Sequence, residues 1–386
     1  MKMGKELNVV YVGNNSFPWG AATSKRRRYM VDYMNAHDIA CHVLITLHGR
    51  QKEMISNGVY GKCDFHDLTY DFSFLKIWKY YNVGKKFLKE WYNPQKQNIF
   101  LYSTILELID YPLYAYARKL GYKIVFDQVE MSYLSDGTSY SAKFWIRIKL
   151  NEIIRHYVYE HCDGSFVITQ ALYNQNRKEF ANMPLCILPN STPNLYNSEY
   201  VKSHRVPIVL YTGTFAPKDG VYYLIKGFLL ARERGVNCKL IMTGKGKPKD
   251  MQILKLVAGN PNVEYRGLIS EEELKNLLQE SDILTMTRVN SKFANYGFPF
   301  KLSESLATGN PVIASNVSDV NLYVKHKENV YMVRPENIED IANGIEFLVN
   351  NPQQAERIGK AGVDIVKTKF GLEPVGEIFT KFLKSL

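Results

Sequence analysis

Asn295-Tyr-Gly-Phe-Pro-Phe-Lys-Leu-Ser-Glu-Ser-Leu-Ala-Thr-Gly-Asn-Pro-Val-Ile-Ala-Ser315 reads in one pass as loop, short helix, glycine turn and buried strand. That order is the local signature of a parallel sheet covered by helices. The backbone N–H groups of the loop and of the helix N-terminus make an anion site. Glu304, about one turn into the helix, is placed to accept two hydrogen bonds from a ribose diol. Lys301 lies near the positive end of the same helix, which costs on the order of several tenths of a kcal/mol unless an anion is close. The alternative is that Lys301 and Glu304 form an ordinary i,i+3 pair on a solvated face.

Outward from this stretch the same alternation continues over almost the whole chain. Strands are expected at Leu7–Val12, Cys41–Thr46, Asn98–Tyr102, Lys123–Asp127, Gly164–Thr169 and Cys186–Pro189. After a polar, proline-containing linker from Asn190 to His204, a second series follows at Ile208–Thr212, Lys239–Thr243, Val263–Arg266, Ile283–Met286, Val312–Ala314 and Val330–Val333. Ser270-x-x-Glu273 ahead of Leu274, Leu277 and Leu278 is a capping box that starts a helix. The expected fold class is α/β, two facing Rossmann-like domains, with ligands beyond the carboxyl ends of the strands and in the cleft between the sheets. The expected domains are residues 1–195, residues 196–368, and a final helix from about Glu373 that returns to the first domain.

A chain of 386 residues, 46% hydrophobic, is long enough for two such cores. The longest apolar stretch, Phe100 to Tyr122, is broken by Glu107, Asp110 and Pro112 and falls short of a membrane span. The run Val9 to Val12 is too short for a signal-peptide core. Five scattered cysteines without a C-x-x-C pair fit a reduced cytoplasm. The net charge of +11 favours an anionic partner: a diphosphate, an acidic membrane surface or nucleic acid. Most of the 27 tyrosines read as core.

Several chemistries lack their motif. Neither G-x-G-x-x-G nor a Walker loop occurs, and Gly244-Lys245-Gly246 is a lone G-x-G. H-E-x-x-H, G-x-S-x-G and clustered His/Cys sets are missing too, which disfavours metal and serine hydrolysis. No recognised nucleic-acid module carries the basic charge.

The opening stretch is similar to the nucleotide-binding signature of retaining glycosyltransferase family 4, in its branch P-x-K-l-x-E-x-l-A-x-G-x-P-V-i-A. Pro299, Lys301, Glu304, Ala307, Gly309, Pro311, Val312 and Ala314 carry the match. Tyr211–Gly220, Lys239–Gly246 and Asn262–Gly267 resemble the family's first, second and base-side strands of the C-terminal domain, and Phe17-Pro-Trp-Gly20 through Arg26 its N-terminal glycine loop and helix. Two positions depart from the pattern. Tyr296 stands where the first glutamate of a Glu-x7-Glu pair belongs, and the G-R-x-x-x-x-K-G loop has Thr214 for the arginine and Asp219 for the lysine, with Lys218 one place early.

The resemblance implies a GT-B architecture and transfer of a sugar, with retention, from a nucleotide-sugar to a glycan or lipid-linked acceptor. UDP or GDP is the expected donor nucleotide, and no metal is expected. The donor residues it implies are Gly13, Gly20, Thr214, Lys218, Gly244, Tyr296, Gly297, Phe298, Pro299, Phe300 and Glu304. Gly13 also suits a plain tight turn. Arg288 and Lys301, with Lys218, would stabilise the departing diphosphate. Arg288 alternatively faces solvent from its loop. Asp127 and Glu130 end a strand where they can meet the sugar or the incoming hydroxyl, or Asp127 caps a helix. Lys25 to Arg28 open a helix with four positive charges, which calls for anions close by. Arg26 matches the family pattern, and the others are expected to meet acidic lipid, giving a cytoplasmic protein peripheral to the membrane. A nucleotide-sugar 2-epimerase and a non-catalytic nucleotide-sugar-binding subunit are the rival readings.

Overall fold

The computed structural model describes residues 5–20, 22–46, 57–72, 77–103, 107–129, 142–193, 196, 202 and 205–386. The chain divides into two compact units, residues 1–191 with 372–386 and residues 192–371.

The N-terminal unit is built on an eight-stranded sheet. Its strands are β1 (Leu7–Gly13), β2 (Ala40–Ile45), β3 (Asn57–Tyr60), β4 (Cys63–Asp67), β5 (Gln97–Ser103), β6 (Lys123–Gln128), β7 (Gly164–Val167) and β8 (Leu185–Ile187), in the order β3-β4-β2-β1-β5-β6-β7-β8. All neighbours run parallel except the edge hairpin β3–β4. The central strands are apolar at successive positions because both faces are covered. In β1, Val9 and Tyr11 enter one core and Val10 and Val12 the other; Ile99 and Leu101 oppose Phe100 and Tyr102 in the same way. The last helix, Leu372–Ser385, closes the first of these cores with Val375, Phe379 and Leu383, spaced four residues apart on one helical stripe.

The C-terminal unit has six strands, all parallel: β9 (Ile208–Thr212), β10 (Lys239–Thr243), β11 (Val263–Tyr265), β12 (Ile283–Met286), β13 (Val312–Ser315) and β14 (Tyr331–Val333), in the order β11-β10-β9-β12-β13-β14. The Val221–Glu233 and Ile338–Asn350 helices cover one face through Leu224, Phe228, Ile341 and Ile345. The expected capping box forms, with the Ser270 Oγ accepting from Glu273 N–H and Glu273 accepting from Ser270 N–H.

All twelve expected strands are present, to within two residues at their ends. The β3–β4 hairpin is an addition, turning on Gly61 and Lys62 with Gly61 at φ 61°. No helix among the described residues is long and apolar enough to cross a membrane.

Two outcomes test this packing. Glycine inside a helix is worse than alanine by about 1 kcal/mol, so Gly376→Ala should stabilise on propensity alone. A Cβ at Gly376 would stand 2.2–2.4 Å from the Tyr33 ring, and overpacking against a rigid ring costs roughly 1–3 kcal/mol. The clash wins, and urea unfolding of Gly376→Ala should show a net loss. Beneath β5, Asp110 is buried and accepts from the hydroxyls of Tyr80 and Tyr102. Burial raises its carboxyl from 3.8 to about 6, the tyrosine donors offsetting part of the effect. The native state therefore holds a proton that the unfolded chain releases between about pH 4 and 6. Stability is highest below that window and falls across it by about 3 kcal/mol, from about 1.4 kcal/mol per pH unit. Asp110→Asn should remove this slope from unfolding free energies measured at pH 4 and pH 7.

Candidate functional site

In the C-terminal sheet the strand order reverses between β9 and β12, and the chain leaves both strands at the same end. Open α/β sheets take ligands at such a point. β9 runs out through Gly213 and Thr214 to the turn Pro217–Asp219, and β12 runs out through Thr287 to Arg288. The Phe300–Ala307 helix has Pro299 as its N-cap, and no side chain caps it.

These segments bring four charged side chains together. Asp219 is 5% exposed. Lys301 Nζ lies 3.6 Å from Asp219 Oδ1 and Arg288 Nε 4.0 Å from the same oxygen. Both are charge contacts longer than a hydrogen bond. The other carboxylate oxygen accepts from the Thr214 hydroxyl. Lys301 Nζ also donates to Tyr211 Oη at 3.3 Å and lies 4.6 Å from the centre of that ring, while the Tyr211 hydroxyl donates to Thr214 O. The contacts close a ring: lysine to tyrosine, tyrosine to the Thr214 carbonyl, Thr214 hydroxyl to aspartate, and aspartate back to lysine. Lys218 Nζ sits 4.5 Å from the centre of the Phe293 ring. Burial lowers the Lys301 ammonium from its ordinary value, Asp219 works against that shift, and Arg288 and Lys218 add to it. Gly213 makes room for the ammonium, since a Cβ there would stand 2.1 Å from Lys301 Nζ.

The ammonium of Lys301 thus reaches across to β9. Glu304 is half-buried on the second turn of the same helix. Tyr296 ends the Lys292–Tyr296 helix, and Gly297 is buried just after it. Phe298 turns inward onto Tyr323 and Phe370, with ring centres 5.3 and 5.7 Å apart, so its side chain anchors the loop. Pro299 is buried and Phe300 half-buried. Gly244 directly follows β10 with its N–H on Gly267 O at 2.7 Å, and a Cβ there would strike Gly213 O. Sequence reasoning missed Tyr211 and took Asp219 only as a departure from a pattern. The signal available was one carboxylate in a loop otherwise supplying cations.

In the N-terminal unit, Asp127 is the penultimate residue of β6 and is committed to a buried pair. Arg26 donates to both its oxygens, from Nε at 3.0 Å and Nη2 at 2.9 Å, and the Tyr11 hydroxyl donates to one of them. Arg26 also donates to Leu188 O, Pro189 O and Asn190 Oδ1, tying β6 to the chain that leaves β8. Gly13 ends β1 at φ 153°, and Gly20 is exposed in the following loop. Glu130 lies outside the described residues. One expectation is corrected. Arg26, Arg27 and Arg28 are 2%, 0% and 7% exposed, because the Ala22–Ala36 helix lays them on the unit's own core. They present no face to lipid.

Asp219 gives a direct test of the C-terminal cluster. Asp219→Asn keeps the acceptor for Thr214 and removes the negative charge that Lys301 and Arg288 share. Removing one member of a fully buried pair costs about 3–5 kcal/mol; Lys301 is 24% exposed, so a loss of about 1–2 kcal/mol is expected once solvent screening is allowed for. Pyrophosphate should then stabilise the variant more than the wild type, read as the shift in urea midpoint with and without the anion.

Comparison with known proteins bears on the same region. Residues 206–351 match the family model described as glycosyl transferases group 1. The chain is 24% identical over 174 residues to alpha-D-kanosaminyltransferase of Streptomyces kanamyceticus, 44% of this chain and 44% of that relative, so it spans under half of that relative's length. It is 22% identical over 311 residues to an uncharacterized glycosyltransferase of Haemophilus influenzae, 74% of this chain and 83% of the relative. Among solved structures, sucrose-phosphate synthase of Thermosynechococcus elongatus superposes with a TM-score of 0.74 at 16% identity over 98% of each chain. Anabaena HepE in complex with UDP gives 0.66 at 14% identity, covering 98% of this chain and 100% of that one. The family model thus carries the glycosyltransferase likeness in the C-terminal unit, and the solved structures share with this chain the fold of two parallel-sheet domains known as GT-B.

Proposed function

We propose that this chain transfers a glycosyl group from a nucleoside-diphosphate sugar, UDP- or GDP-linked, to a glycan or lipid-linked acceptor with retention of anomeric configuration, as a member of glycosyltransferase family 4. The C-terminal unit holds the donor and the N-terminal unit the acceptor. The observation that supports this reading most is the gathering of Lys301, Arg288 and Lys218 from three separate segments at the sheet's switch point. When the bond from the anomeric carbon to the phosphate oxygen breaks, the electron pair stays on the diphosphate. Fixed cations meet that charge without reorganising, and losing one such contact costs on the order of 10² to 10³ in rate.

The other roles follow from position. Glu304 accepts from the ribose diol, and the backbone of Gly297 to Phe300 meets the sugar hydroxyls. Thr214 and Gly244 line the phosphate side, the former by way of Asp219. The acceptor oxygen bonds the anomeric carbon on the face that the diphosphate leaves, and the acceptor's proton passes to an oxygen of the departing diphosphate. Side-chain cations take the place a divalent metal would fill, so transfer is proposed to be metal-independent. Relatives bearing transferase names favour transfer over epimerisation. A contact with acidic lipid at the inner face of the membrane rests on the net charge of +11, not on the first helix.

Calorimetry with UDP, GDP, ADP and dTDP should show one nucleotide bound well above the rest. Glu304→Gln should weaken that nucleotide by roughly 1–2 kcal/mol, the difference between a charged and a neutral hydrogen bond. Lys301→Ala should weaken the diphosphate more than the bare nucleoside. Unchanged nucleotide affinity in both variants would remove the donor site from this helix, and an inverted anomeric centre in the product NMR spectrum would end the assignment to a retaining family.

A further inference from the structure

The carboxyl end of the N-terminal sheet holds a cation that the proposed transfer does not use. Arg27 follows Arg26 on the Ala22–Ala36 helix and is fully buried. Arg26 fills the Nε–Nη2 edge of its guanidinium with the Asp127 carboxylate, the side-on fork that suits a two-oxygen anion. On Arg27, Nη1 donates to Asn15 O at 3.0 Å, and the same Nε–Nη2 edge reaches no acceptor among the described residues. Asp127 does not supply one, since its oxygens serve Arg26 and Tyr11. The Tyr11 ring, 5.1 Å from the Arg27 guanidinium carbon, offers a π face but no oxyanion. Burial pushes Arg27 below its ordinary value despite the fields of Tyr11, Tyr102 and Asp127. A core seldom keeps a charge in that condition without a use for it.

The surroundings are those of a ligand site. Ser103 ends β5, and its Oγ is buried with no partner among the described residues. Arg27 Nη2 and Ser103 Cβ stand 2.8 and 3.0 Å from the point a Cβ on Gly13 would occupy, so the end of β1 is pared to bare backbone between them. β1 and β5 are also the strands where this sheet's order reverses, β2 lying on one side and β5 on the other. A free guanidinium edge, a free hydroxyl and a side-chain-free backbone therefore converge at the switch point of the N-terminal sheet.

We propose that Arg27, Ser103 and Gly13 form an oxyanion site, taking a phosphate or carboxylate group of the acceptor. The acceptor half of this statement rests on the transfer reading above; the oxyanion site does not. The test uses the full chain with Lys301→Ala as background, so that phosphate bound at the C-terminal cluster does not obscure the result. Inorganic phosphate should raise the melting temperature of Lys301→Ala, and adding Arg27→Met should abolish that rise. The double variant should also melt higher than the single in oxyanion-free chloride buffer, because an uncompensated charge has gone. If the double variant gains as much from phosphate as the single, the proposal is overturned. Should Arg27→Met fail to fold, Ser103→Ala decides the matter: it should weaken phosphate binding about tenfold, one hydrogen bond's worth, and unchanged affinity counts against the site. UDP titrated into Arg27→Met alone separates the sources. Wild-type affinity assigns the group to the acceptor, whereas a loss as large as that from Lys301→Ala assigns it to the donor diphosphate and overturns the acceptor half. If Lys301→Ala itself keeps full UDP affinity, the donor reading fails while the phosphate result on Arg27 stands.

Discussion

A parallel strand covered on both faces can offer a ligand only its ends, and that constraint places the chemistry of this chain. Val9 to Val12 and Ile99 to Tyr102 alternate between two cores and leave no lateral surface free. Polar groups gather where the strands stop: Gly13, Ser103 and Asp127 in the first unit, Thr214, Asp219 and Arg288 in the second. The reversal of strand order opens a gap between diverging helices at that end, and in each unit charged side chains converge on it.

The two ends solve the burial of charge differently. In the C-terminal unit one carboxylate serves two cations, and the hydroxyls of Tyr211 and Thr214 link the group into a closed ring. Such a cluster is held in shape without a ligand yet remains partly open, since Asp219 touches neither cation at hydrogen-bond distance. In the N-terminal unit Arg26 takes the carboxylate outright, and its five contacts fix the ends of β6 and β8. One arginine is structural because its guanidinium is satisfied, and its neighbour is available because its Nε–Nη2 edge meets no acceptor among the described residues.

The sequence told much about the scaffold and less about which charge faces which. Apolar runs such as Leu7–Val12 and Ile208–Thr212 announce two-sided burial, and turn chemistry marks their ends. The β3–β4 hairpin escaped because Asn57–Tyr60 is largely exposed and only weakly apolar; Gly61-Lys62 was its one turn signal. The stretch around Lys301 and Glu304 was legible as a candidate site because helix position and family pattern coincide there. Asp219, Tyr211 and Ser103 were not, because each acts through a partner about 80 or more residues away in sequence, or, for Asp219 and Arg288, nearly so. The four-charge run at Lys25–Arg28 misled for a related reason. A run of cations suggests a solvated face, and only the three-dimensional position of Asp127, Trp19 and Tyr11 shows that the arginines turn inward onto a carboxylate and aromatic rings.

That inward turn carries a consequence for how the first unit is balanced. A helix that opens on basic residues has no acidic side chain in its first turn to offset the dipole, so local electrostatics oppose the very segment that delivers Arg26 and Arg27 to the sheet. The cost is met by the Arg26–Asp127 fork and by Tyr11, Trp19 and Tyr29 stacking on Arg27 and Arg28. Stability could be gained by an apolar residue at position 27 and acidic ones near Ala22, as such replacements commonly do. Arginine at that position makes sense when the charge has work beyond folding. The arrangement trades core stability for a cation held rigidly where two strands diverge, and the bidentate anchor next to it keeps that cation from swinging away.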